Sequence, residues 1–445
     1  MDDRPGWGAG APPLDQRERD QYLTFGFVPE LPPDGDPLAL LGDWSRPPRR
    51  GERSVSEAAL VREGVRALRA ALGECAVAAQ GPGDQVVLLS GGLDSRAILG
   101  ALLENYRPGE VLAATFGAPG EHDFDVAATV ARAVGVRHEV LESSAVDWTT
   151  DGLVDSVLAR QIPLPHPFGQ RYLSYRLHQR IGPDNTFWDG LCGDVTGGAN
   201  THEGDDRATW EEAVAGFLDL HLLPDWEQYT SPGFGPASTM PAAPFVSDAV
   251  LTYPDQLMFA VRQTRYINTR RLRGYTIRTP FLSRPWLDFM LSVPIRYRRD
   301  RRLYMTIVRK AHPRLFRLPT TTFDGVGVPA PPWLRPARVL QRRAVRKIQR
   351  RSGTGGKPDS GANNAIRRSH RHRPDIRELI LGNLGDLAGR GVVPGLDPDA
   401  IARAMTERTI SDTRLSVLLG VEVNLKAVDR LAETGVEPRG SRRSG

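Results

Sequence analysis

Cysteine is nearly absent: the 445 residues hold two, Cys75 and Cys192. That excludes a disulfide framework and leads us to expect a cytoplasmic protein. No apolar run reaches the length of a membrane span, and the polar N-terminus has no signal-peptide core, so no membrane partner is expected. Neither sign of charge is in large excess. The net charge of +5, from 58 basic and 53 acidic residues, calls for no polyanionic partner, and nucleic acid is not expected. Also missing are a Gly-Lys-Ser/Thr P-loop, a Gly-x-Gly-x-x-Gly dinucleotide fingerprint and internal repeats. The length still allows a sizeable core, in one large domain or two packed ones.

What is present is one dense motif. Val86 to Leu89 reads as a buried parallel strand and runs straight into Ser90-Gly-Gly-Leu-Asp-Ser95, with a helix-compatible stretch over 96–105 behind it. Ser90, Gly91 and Gly92 offer hydroxyls and unobstructed N–H groups at a helix N-terminus, where orphan donors and the helix dipole favour phosphate. Asp94 cannot itself attract phosphate, which points to a bridging Mg²⁺. Further strands are expected over 111–116 and 138–141, with a helix over 125–136 between them. This alternation predicts an α/β fold, a doubly wound parallel sheet with ligands outside the carboxyl ends of its strands.

The glycine loop resembles that of the SGGxDS pyrophosphate-loop ATP pyrophosphatases. Other segments resemble the asparagine synthase-like branch of that superfamily and cover most of residues 20–330. They are Tyr22-Leu-Thr-Phe-Gly-Phe-Val-Pro29, Asp189-Gly-Leu-Cys-Gly-Asp194 with Gly197 and Gly198, Arg278-Thr-Pro-Phe-Leu-Ser283, Leu318-Pro319 and Gly325-Val-Gly-Val-Pro329. The resemblance implies an adenine-nucleotide α-hydrolase-like (HUP) core, a helical C-terminal half, and ATP with Mg²⁺ as cofactors. Ser90, Gly91, Gly92 and Ser95 would hold the phosphates, with Gly190 and Gly193 in the second loop. Leu88, Thr115 and Phe116 would lie near the adenine. Asp94 and Asp194 would be the metal ligands and, with Arg309 and Lys310, the catalytic residues; Arg278 would support the site.

The implied activity is an AMP-forming ligase. A small-molecule carboxylate is adenylated with release of pyrophosphate, and ammonia or an amine then displaces AMP. The family's N-terminal glutaminase domain, with its cysteine nucleophile, is not expected in a chain starting Met1-Asp2-Asp3. Nitrogen would come as free ammonia, from a separate glutaminase subunit or from a substrate amine. Several family positions differ here. Val195 stands where a glutamate follows the acidic loop, Thr276 replaces the glutamate two residues before the motif arginine, and Ser283 replaces the closing aspartate. Met305 and Phe323 replace two lysines. Lost cations facing a leaving pyrophosphate cost a few kcal/mol of transition-state stabilisation each. Arg301, Arg302 and Lys310 are near enough in sequence to substitute. Adenylation of a diverged acceptor is therefore expected rather than ordinary asparagine formation, and specialised metabolism would suit it.

Along the chain, residues 1–53 are expected to be disordered (1–20) or extended and proline-rich (29–53). A synthetase domain over 54–330 would open with a helix capped by Ser54 and reaching about residue 79, with the ATP-pyrophosphatase core at 80–200. Helices are expected within 205–330, notably at 210–222 and 250–265. Residues 331–375 read as a flexible basic linker and 376–435 as a helical part whose clearest amphipathic helix is 411–430. The basic tract 335–351 reads as a solvated face, His370 and His372 as surface residues rather than metal ligands, and Cys192 as a small residue beside glycines. Tyr172, Tyr175 and His178 are either pocket-lining or core, and His166 is a pocket candidate. Two rival functions are a tRNA-modifying ATP pyrophosphatase, disfavoured by the RTPFLS and GVGVP segments and the missing Cys-x-x-Cys pair, and a catalytically impaired pseudo-synthetase acting as a partner protein.

Overall fold

The computed structural model describes residues 14–29, 41, 55–77, 83–160, 169–264, 267, 270–321 and 369–434. Residues 331–368 of the expected 331–375 linker, the basic tract, Ser54, His166, Phe323 and the GVGVP segment lie outside them; the last part of that linker holds a 3-10 turn, Ser369–Arg371, and the start of a helix at Pro374.

Strand β1 (Gln85–Leu88) pairs in parallel with β2 (Val111–Gly117), and β2 with β3 (Arg137–Glu142). On its other side β1 pairs with β4 (Thr186–Trp188), which pairs with β5 (Thr276–Arg278). The order is β3-β2-β1-β4-β5, all parallel. This is the doubly wound, HUP-like sheet expected from the strand–helix alternation.

The period of two along each strand divides the interior into two cores. Val86, Ala114 and Phe187 face one of them, and Val87, Ala113 and Trp188 the other. Helices α2 (Glu57–Val77), α3 (Leu93–Asn105) and α4 (His122–Val134) contribute to the second core. So do α8 (Arg284–Ser292) and α9 (Arg302–Ala311). The first core takes α5 (Thr150–Leu158) and α6 (Gln170–Ile181), joined by α10 (Pro374–Arg390), α11 (Pro398–Glu407) and α12 (Asp412–Thr434). A smaller cluster joins α7 (Trp210–His221), a π-helix (Leu257–Gln263) and Val195 beside the acidic loop.

Three sequence expectations need correction. Disorder does not extend through residue 20: α1 (Gln16–Phe25) carries a complete capping box from Asp15 and Glu18, and residues 20–25 are buried. Just before helix α2, the Ser56 hydroxyl accepts from Ala59 N–H at 3.3 Å; the expected cap Ser54 lies outside the described residues. Residues 250–265 do not form one α-helix. Four α-helical residues, Tyr253–Gln256, pass into the π-helix, and the Thr264 hydroxyl then bonds back to the Phe259 carbonyl. Finally, α12 is buried on every side from 414 to 425. Buried polar side chains on it bond within the fold: Glu422 to Arg390, and the Arg414 Nη atoms to the carbonyls of Leu23 and Pro224.

Candidate active site

The strand order reverses direction between β1 and β4, and the loops leaving their carboxyl ends meet there, where α/β sheets bind ligands. The first loop is preshaped by its own hydroxyls. Ser95 Oγ accepts from Ser90 N–H at 3.1 Å, and Ser90 Oγ accepts from Gly92 N–H at 3.2 Å. Helix α3 begins at Gly92 with no side-chain cap, leaving its N-terminal donors for an anion. Gly91 has no room for a side chain, since a Cβ there would stand 2.3 Å from Thr321 Cγ2 and 2.9 Å from Asp123 Oδ1. Its carbonyl accepts from Thr320 Oγ1 and Thr321 N–H, both at 3.0 Å. Arg96, fully buried behind the loop, donates to the carbonyls of Leu315, Leu318 and Pro319. The Leu-Pro segment is thus fastened across the first loop by an arginine of α3.

The second loop follows β4. Asp189 turns it by accepting from Leu191 N–H at 3.1 Å and takes Arg270 as ion partner, with Nη1 2.7 Å from Oδ2. Asp189 N–H in turn donates to the carbonyl of Arg278 at 2.9 Å. The glycines then allow close approach: a Cβ at Gly190 would lie 2.9 Å from Asp94 Cβ, and one at Gly193 2.6 Å from Asp94 Cγ. The Asp194 backbone lies near enough to the Asp94 carboxylate to favour its charged form.

Burial, and next the neighbouring Asp194 charge, push the Asp94 carboxyl up to about 7. The Tyr304 hydroxyl, Arg301 and the Asp194 backbone restrain the rise. Tyr304 Oη donates to Asp94 Oδ1 at 2.6 Å. Phe281 and Trp286 fix its ring edge-on at 6.0 and 5.7 Å, and Gly197 admits it, since a Cβ there would come 2.8 Å from Tyr304 Cδ1. The RTPFLS segment therefore acts through Phe281, which wedges the ring that orients Asp94.

Residues 67–177 match the family model described as asparagine synthase. The chain carries an asparagine synthase-like domain. The match covers about a quarter of the chain and suggests a ligase-type enzyme. None of the curated proteins compared with the chain matches it. The matched span includes the first loop of the asparagine synthase-like domain; the acidic loop and Tyr304 lie beyond it, and their place in the site rests on geometry.

Among the residues expected in the site, Ser90, Gly91, Gly92, Asp94, Ser95, Gly190, Gly193 and Asp194 come together at the loop junction. Leu88 and Phe116 are half-buried and pack against the first core. Thr115 is buried, its hydroxyl donating to the Leu89 carbonyl at 2.9 Å and lying 2.9 Å from His138 Nε2. Arg309 is half-buried and Lys310 exposed, and on α9 they point about 140° and 120° away from Tyr304. Tyr172, Tyr175 and His178 are core residues. Burial pushes the Cys192 thiol far up, and its Sγ lies 3.7 Å from Gln263 Oε1, so it is no nucleophile. His370 is buried rather than on the surface, 3.7 Å from Asp412.

Tyr304, Asp123, Thr320 and Thr321 were not visible as site residues. The one sequence signal was for Tyr304, which sits in the apolar stripe of α9 (303, 304, 307, 308, 311), where a buried hydroxyl needs a partner.

Two neighbouring carboxylates, one pushed toward neutrality by burial and next by the charge of the other, suit a hard divalent cation. Among the described residues there is no cluster of three or more histidine, cysteine, aspartate or glutamate side chains able to hold a metal. A site with two carboxylates fits Mg²⁺, which takes one or two carboxylates and completes its shell with phosphate oxygens and water. Among the described residues no helix is long and apolar enough to cross a membrane.

Proposed function

We propose that the protein is an AMP-forming ligase that adenylates a small-molecule carboxylate and passes the acyl group to ammonia or an amine, working as a cytoplasmic enzyme. The observation that supports this is the convergence of Asp94 and Asp194 beside an uncapped helix N-terminus at the β1/β4 reversal. Ser90, Ser95 and the N–H groups of the first loop hold the phosphates. Asp94 and Asp194 hold Mg²⁺, which supplies neutralising charge to the triphosphate when bound.

The chain's own residues set up the first step. Tyr304 orients Asp94, the glycines at 190 and 193 let the second loop close on Asp94, Gly91 makes room for Thr321, and the 318–321 segment covers the loop. An acceptor carboxylate oxygen bonds to the α-phosphorus while the bridging oxygen leaves with its electron pair as part of pyrophosphate. The nitrogen of ammonia or an amine then attacks the acyl carbon, AMP leaves with the C–O electron pair, and the surplus proton passes to solvent. Thr276 leaves the deprotonation of that amine to a group other than the family's glutamate.

The test is product analysis with α-labelled ATP and Mg²⁺ over pooled carboxylic acids and amines. AMP and pyrophosphate that depend on one acid, and vanish in Asp194→Ala, are the expected result. ADP as the product, or turnover unchanged in Asp194→Ala, would overturn the reading.

A further inference from the structure

Helix α9 starts from an unusual backbone step. Asp300 (φ 56°) and Arg301 (φ 59°) are consecutive non-glycine residues in the left-handed region. Such a conformation is unfavourable for an L-residue, and arginine gains none of the local side-chain bonding that lets asparagine or aspartate tolerate it. The step persists because both its flanks are fixed. On one side Arg298 is fully buried and bidentate to Asp255, at 2.7 and 2.9 Å, and its carbonyl lies against Gly198, where a Cβ would stand 2.2 Å away. On the other side Tyr304 is held to Asp94. The chain must cross from one anchor to the other in five residues, and the left-handed pair makes the crossing.

This crossing sets Arg301 at the N-cap of α9, three residues before the Tyr304 that bonds Asp94. Its charge acts on both Asp94 and Tyr304. The other cations of the segment are committed elsewhere or turned away. Arg298 pairs with Asp255 and Arg299 with Glu203, Arg296 lies over the Tyr297 ring, and Arg302 and Lys310 are exposed. Arg301 is half-buried and makes no ion pair among the described residues.

We propose that Arg301 is the cation that faces the leaving pyrophosphate, taking over the role of the lysines that Met305 and Phe323 have displaced. It rests on the ligase reading above. The strained step is then a delivery device, placing a long cationic side chain at the mouth of the carboxylate pair from a turn rather than from the lysine positions. A guanidinium also suits a phosphate better than an ammonium where two oxygens must be met at once.

Calorimetric binding of ATP, pyrophosphate and AMP with Mg²⁺ tests it, on the wild type and on Arg301→Asn, Arg301→Lys and Arg302→Gln. Asparagine tolerates the left-handed backbone, so Arg301→Asn removes the charge and keeps the fold; its melting temperature is expected at or above that of the wild type. Binding of ATP and pyrophosphate is expected to weaken tenfold or more in Arg301→Asn and partly recover in Arg301→Lys. AMP binding should stay within twofold, and Arg302→Gln should bind all three as the wild type does. An unchanged preference for ATP over AMP in Arg301→Asn, or an equal loss in Arg302→Gln, overturns the proposal while leaving the ligase reading intact. A wild type that binds no ATP overturns the ligase reading, and this inference with it.

Discussion

In the proposed site Asp94 would carry the metal-binding chemistry, and Tyr304 holds its carboxylate. A carboxylate beside Asp194 would otherwise turn or protonate, and the 2.6 Å bond from Tyr304 Oη keeps one oxygen engaged. Tyr304→Phe should keep the ring packing against Phe281 and Trp286 while raising the Mg²⁺ concentration needed for half-maximal ATP binding about tenfold, the equivalent of about 1.4 kcal/mol. A Mg²⁺ titration of ATP binding, with the melting temperature as control, checks this; an unchanged Mg²⁺ requirement would show that Asp94 is oriented without the tyrosine. Asp94 itself was legible in the sequence because its spacing from Ser90 and the glycines has a local mechanism. Tyr304 was not, because its partner lies 210 positions away and only the packed sheet brings them together.

At the scale of elements, the clearest strands were those long enough to show apolar runs, β1 to β3. Strands β4 and β5 are three residues each, too short for any periodicity, and were reached only through the loops that follow them. The π-helix escaped for a different reason: its residues have ordinary helical composition, and the wider register shows only in the backbone bonds. Helix α12 misleads because polar residues in a periodic segment suggest a solvated face, whereas Arg414, Glu422 and Asn424 are buried polar anchors. Helix α10 shows the converse. Gly382 and Gly385 stand exposed in its interior with no atom within 4 Å of where a Cβ would lie. Nothing at these positions requires glycine, so each weakens the helix. Gly382→Ala together with Gly385→Ala should raise unfolding free energy by about 1–2 kcal/mol, measured as a shift in the urea midpoint at constant slope. A decrease would mean that these glycines meet a group outside the described residues.

For the whole molecule, the linkages that govern stability against pH include two opposed ones that titrate in the same range. Asp94, raised from 3.8 to about 7, takes up its proton more readily in the folded state, so it stabilises the fold as pH falls below 7 and opposes it above. His178 acts the other way. It is buried, its Nδ1 lies 2.6 Å from the Ser174 carbonyl, and its ring stacks on Phe187 at 4.2 Å with Tyr275 edge-on. Burial above all, and Arg160 in addition, push it down to about 4, against smaller opposing effects of the Ser174 carbonyl and Asp189. Its contribution is complete above the unfolded value of 6.5 and is lost as pH falls toward 4. Because the two terms offset one another, the net stability of the wild type between pH 7.5 and 5.0 identifies neither. The difference between wild type and His178→Phe does, since Asp94 is common to both and phenylalanine keeps the stack without titrating. The wild type should lose about 2 kcal/mol relative to His178→Phe on going from pH 7.5 to 5.0, read from urea unfolding at the two pH values. A difference independent of pH would show that His178 is free to ionise in the folded protein, and would remove the tight packing of α6 against β4 on which that side of the sheet depends.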